Sequence, residues 1–78
     1  MTHVSDVARK VRTLRSRMGV TQQHLSSASG VSLRTLHRVE TMDRVNTSYS
    51  PRLDTVDNLA HSFGVDLGTF ISTPASRL

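Results

Sequence analysis

Two arginines and a histidine share one side of a short segment. In VSLRTLHRVE, residues 31–40, Arg34, His37 and Arg38 stand at i, i+3 and i+4. A helix brings such positions, together with 41, into one row. A guanidinium is a flat fork of donors that matches phosphate oxygens and the O6/N7 edge of guanine. An imidazole titrates near neutrality and can bond a base edge or a phosphate. Leu33 leads the same segment, where it either meets a thymine methyl or folds back onto the core. Arg34, Arg38, His37 and Leu33 are therefore the candidates for contact with base edges.

Other chemistries find less support. His3, His24, His37 and His61 show no ligand spacing on one helical face, and zinc needs four converging ligands. No serine–histidine–acid set and no glycine-rich phosphate loop is present. The expectation is a protein without catalytic residues, metal or cofactor.

The elements that must position the row follow from apolar periodicity. A first helix is expected from about His3 to Met18, capped by Thr2. Val4, Val7, Ala8, Val11, Leu14 and Met18 form its apolar stripe, and Gly19 ends it. Arg9, Lys10, Arg12, Arg15 and Arg17 lie off that stripe. A second helix starts at Thr21, an N-cap residue, and runs through Gln22 to about Ser29 with Leu25 and Ala28 inward. Gly30 supplies the positive φ of a tight turn. A third helix opens at Ser32 and runs to about Glu40, with Leu36 and Val39 inward. Residues 41–50 form a loop. A fourth helix is expected from Pro51 to Phe63, capped by Ser50, with Leu53, Val56, Leu59, Ala60 and Phe63 in its stripe. A short fifth follows Asp66 and is closed by Pro74. No strand shows alternation. The fold class is thus all-α, a compact five-helix bundle, with residues 1–72 as one domain and 73–78 as a loose tail.

Composition bounds the partners. The 78 residues carry a net charge of +4 and no cysteine. Residues 1–52 hold nine basic and three acidic side chains, a net of +6, and residues 53–78 hold one and three, a net of −2. Nine of the ten basic residues are arginine, which suggests a polyanion on one face. The absence of cysteine fits a reducing cytoplasm. No apolar run approaches the roughly 20 residues of a membrane span, and the N-terminus lacks the apolar stretch of a secretion signal.

A short helix, a glycine corner and a second helix with a polar outer row describe a helix-turn-helix, whose second helix enters the DNA major groove. TQQHLSSASGVSLRTLHRVE resembles the helix-turn-helix of the phage repressor and Cro (XRE) family. Thr21-Gln22, Leu25-Ser26, Gly30-Val31-Ser32 and Glu40 occupy that family's positions. VRTLRSRMGVTQ is similar to its first helix, and SPRLDTVDNLAHSFGVDLGTFI to its fourth and fifth, so about residues 6–71 are covered. Ser26 stands where the family usually has Ala, and Ser29 where it often has an apolar residue. The ten residues between Glu40 and Pro51 exceed its usual spacing.

The resemblance implies a lambda-repressor-like bundle and a transcriptional regulator that reads double-stranded DNA, as a homodimer on a two-fold-related operator. It makes Thr21 and Gln22 a phosphate clamp at a helix N-terminus, where free N–H groups favour an anion. It also pairs Arg15 with Glu40. Thr35, Arg44, Asn46, Thr47 and Ser48 are further candidates for phosphate contact, and Tyr49 is expected to pack under the loop. Val65, Leu67, Phe70 and Ile71 are the candidate dimer surface, or else close the monomer's core. The rival reading is a protein-interaction module of the same fold, such as an antitoxin-like partner binder. The basic outer row argues against it, because protein-binding surfaces favour apolar and aromatic residues.

Overall fold

The computed structural model describes residues 4–45 and 48–78. Its elements in chain order are α1 (Val4–Met18), α2 (Gln22–Ser29), α3 (Leu33–Thr41), α4 (Leu53–Ser62) and α5 (Leu67–Ser72), followed by a 3₁₀ turn at Ala75–Arg77. No strand occurs among the described residues. The fold is an all-α bundle of five helices.

α1 lies against α3, α2 lies against both α3 and α4, and α5 closes the far side of α4. Val7, Ala8 and Val11 of α1 meet Leu25, Val31, Leu36, Val39, Met42, Val56, Leu59, Ala60 and Phe70 in one core. The radius of gyration, 11.2 Å, is close to the roughly 11.5 Å expected of a folded chain this long. α2 to α5, of 6 to 10 residues, are too short to be stable alone. Each gains its stability from the stripe it buries.

Start and stop chemistry explains most boundaries. The Asp66 carboxylate accepts from the Thr69 amide at 3.0 Å and starts α5. The Thr21 and Ser32 hydroxyls do the same for α2 and α3. The expected Thr2 cap and His3 start of α1 lie outside the described residues.

Four expectations require correction. Met18 is 54% exposed, because the α1 stripe turns away from the core after Leu14. Ala28 is exposed, which leaves Leu25 as the one buried side chain of α2. α4 begins at Leu53 rather than Pro51. Arg52 is extended and occupies the cap position without a side-chain capping bond, so Ser50 is not the cap. The first helical bond runs from the Val56 amide to the Arg52 carbonyl. This start points Val56, Leu59 and Ala60 inward and leaves Leu53 66% exposed.

The fourth correction concerns the C-terminus. Residues 75–77 form a 3₁₀ turn against α1, and Leu78 packs on the core. The last residues therefore belong to the folded unit. Lys10, which lies off the apolar stripe of α1, is nevertheless 2% exposed. Its Nζ donates to the carbonyls of Phe70 at 2.8 Å and Ile71 at 2.7 Å, and it lies 5.7 Å from the Phe70 ring centre. These carbonyls sit at the end of α5, where no further turn exists to use them. A lysine 60 residues away thus supplies their donor. Burial pushes the Lys10 ammonium below the usual lysine range, against the opposing pull of the Asp6 charge.

Candidate nucleic-acid interface

The α2–α3 unit is fixed by its own hydroxyls. Gly30 adopts φ 75° and its amide donates to the Ser26 carbonyl at 3.0 Å, ending α2 in the left-handed conformation that glycine tolerates best. The Ser26 hydroxyl donates to the Val31 carbonyl at 2.6 Å. The Ser29 hydroxyl donates to the Leu25 carbonyl at 2.7 Å and accepts from the Val31 amide at 3.2 Å. Two serines therefore staple the corner across which Val31 enters the core. They replace apolar packing with directed bonds, which suits a helix holding only one buried side chain. Ser32 then caps α3 through the Thr35 amide at 3.2 Å, and its hydroxyl donates to Thr35 Oγ1 at 2.9 Å.

The pattern of α3 is two-sided. Leu36, Val39 and Glu40 are buried, whereas Arg34, His37 and Arg38 are exposed and Leu33 is 47% exposed. Leu33 therefore does not fold back into the core. The four outward residues line a shallow groove together with Gln22 from the start of α2. The structure thus brings the candidate base readers and one half of the candidate phosphate clamp onto one surface. Thr21 is exposed beside them and already accepts from the His24 amide at 3.0 Å. Thr35 is half-buried, its hydroxyl tied to Ser32. Arg44 and Ser48 are exposed in the connection between α3 and α4. Asn46 and Thr47 lie outside the described residues.

Behind this surface, α1 braces α3 with two forked ion pairs. Arg15 Nε and Nη2 donate to Glu40 Oε2 at 2.9 Å and Oε1 at 3.0 Å, and its Nη1 donates to the Val20 carbonyl at 3.1 Å. The Glu40 side chain is 3% exposed, so the sequence-expected pair is largely buried rather than a surface contact. Arg12, which sequence reasoning left unassigned, makes a second fork to Asp43 at 2.7 and 2.8 Å. Its Nη1 also donates to the Glu40 carbonyl, closing the end of α3. The Arg12 hydrogen bonds hold the Asp43 carboxyl below the usual carboxylate range, and those to Asp43 raise the Arg12 guanidinium. The i, i+3 spacing of Arg12 and Arg15 was the available signal, since it places both on the side of α1 that faces one neighbour.

These pairs shape the electrostatics of the outer face. Glu40 and Asp43 are turned inward and neutralised, and among the described residues no carboxylate pairs with Arg34 or Arg38. The exposed charge on this side is therefore cationic. Arg38 instead lies over the Tyr49 ring, with its guanidinium carbon 4.1 Å from the ring centre. Tyr49 packs against the core and also carries this arginine. The stack had no local signal, because a loop separates the two residues.

The candidate dimer surface is only partly available. Phe70 is 0% exposed and belongs to the monomer's core, since it fills the space between α5 and the rest of the bundle. Val65, Leu67 and Ile71 are half-buried around it. Among the described residues no group of three metal-ligating side chains converges, and no helix is long and apolar enough to cross a membrane. Comparison with known proteins returns no match, whether to a family model, a curated protein or a solved structure.

Proposed function

We propose that this chain is a sequence-specific, double-stranded DNA-binding regulator of transcription, of the phage repressor and Cro type that its sequence resembles. The observation that carries the reading is the outer row of α3. Arg34, His37 and Arg38 are exposed, free of carboxylate neighbours among the described residues, and mounted on a helix held from behind by α1. A single α-helix fits the major groove of B-form DNA, and arginine distinguishes guanine there by two hydrogen bonds. In this reading Leu33, Arg34, His37 and Arg38 face base edges. Thr21 and Gln22 clamp a phosphate at the start of α2, and Thr35, Arg44 and Ser48 add backbone contacts that set the register.

One α3 spans only a few base pairs, so useful selectivity needs a second copy. A homodimer through Val65, Leu67 and Ile71 would place two such helices on half-sites about one helical turn apart. A protein acting on chromosomal or phage DNA in this way would reside in the cytoplasm.

The test is selection of bound duplexes from a random pool. The expected result is a short motif containing guanine, repeated with two-fold symmetry. Recovery of unselected sequence would contradict the reading and favour a protein-binding module on the same fold.

A further inference from the structure

The DNA-reading row contains two arginines that differ in one respect. Both are exposed, yet among the described residues only Arg38 has an aromatic platform beneath it. Tyr49 comes from the connection to α4, is half-buried, and packs on the core cluster. Its ring is therefore held against the core rather than left in solvent. The Arg38 guanidinium carbon lies 4.1 Å from the ring centre, well inside the roughly 6 Å range of a cation–π contact.

Stacking engages the face of a guanidinium and leaves its N–H groups free in the plane. An arginine lying on a ring can thus still donate two bonds to a guanine edge. A free arginine on a helix surface samples many rotamers, and binding must arrest them. Tyr49 restricts that sampling before DNA arrives. Among the described residues no carboxylate does this for Arg38, and neither a carboxylate nor a ring does it for Arg34.

We propose that Tyr49 is a positioning residue for base recognition, which holds the Arg38 guanidinium flat over its ring so that Arg38 meets its base already ordered. The proposal rests on the DNA-binding reading above and adds a specificity determinant that itself need not touch DNA. It assigns the two arginines unequal parts. Arg38 is pre-organised and selective, and Arg34 is adaptable.

Two measurements test it. The first needs no DNA. Nitrogen relaxation of the arginine Nε–H groups in the free protein is expected to show Arg38 more ordered than Arg34. Equal mobility would overturn the proposal whatever the chain binds. The second compares affinities for a duplex recovered by selection on the wild-type chain and for a scrambled duplex. Tyr49→Leu, which keeps an apolar side chain under the loop, is expected to lose about 5–10-fold on the selected duplex and little on the scrambled one. Tyr49→Phe, which keeps the ring, is expected to keep the preference for the selected duplex over the scrambled one. In an Arg38→Ala background Tyr49→Leu should add no further loss. Equal loss on both duplexes, or additive losses with Arg38→Ala, would make Tyr49 merely structural and overturn the proposal. A wild-type chain with no preference between the duplexes would overturn the DNA-binding reading and this inference together.

Discussion

Arg34 is exposed at the leading end of α3, in the groove shared with Gln22, Leu33, His37 and Arg38. If it reads a base, Arg34→Ala should cost about 1–3 kcal/mol on the selected duplex and relax the choice at one base pair. Binding titrations across single-base variants of that duplex would check this. An equal loss on every variant would assign Arg34 to a phosphate instead. The outward set of α3 was legible from spacing alone, because polar residues at i, i+3 and i+4 cannot share a stripe with Leu36 and Val39. Lys10 was not legible. It stands three residues after Val7 and one before Val11, at the edge of the apolar stripe. Only the carbonyls of Phe70 and Ile71, which arrive near the other end of the chain, give its charge a place in the interior. Arg12 was legible only in part: its i, i+3 spacing from Arg15 puts both on one side of α1, but no local pattern points to Asp43, in the turn after α3, as its acceptor.

Between elements, the orientation of α3 rests on the forks from α1. Glu40 is nearly sealed from water, and its carboxylate accepts from the half-buried Arg15. Arg15→Met would leave a buried charge without its partner, which is far more costly than losing a surface ion pair. The expected outcome is a fall in unfolding free energy of about 3 kcal/mol, read by urea denaturation. Adding Glu40→Gln should recover part of it by removing the stranded charge. A fall within the range of about 0–1 kcal/mol typical of exposed pairs would mean that water reaches the site. Helix starts with a hydroxyl or carboxylate cap were legible, as Thr21, Ser32 and Asp66 demonstrate. α4 was not, because Pro51 suits both the first helical position and the extended residue before a cap. The choice between them is made by which register buries Val56, Leu59 and Ala60. The C-terminal 3₁₀ turn escaped for a related reason. ASRL has no periodicity, and Leu78 finds its partners only once α1 and α5 are assembled.

Across the whole molecule, the charge asymmetry read from composition takes a definite form. Two of the three carboxylates in the basic segment, Glu40 and Asp43, are spent internally on Arg15 and Arg12. Arg34, Arg38 and Arg44 are left exposed. Near α4, Asp54 and Asp57 line a surface with Arg52, Leu53 and Leu67, and Arg52 pairs there with Asp54 at 3.3 Å. The fold class and the helix-turn-helix were legible because they depend on local periodicity and a glycine corner. Whether that corner meets a duplex is a matter of contact, and it is best read directly. Titrating the isotope-labelled protein with the selected duplex and following backbone amide shifts maps the contact residue by residue. The largest changes are expected at Thr21, Gln22 and residues 33–38. Changes confined to residues 53–78, with α3 silent, would contradict the account.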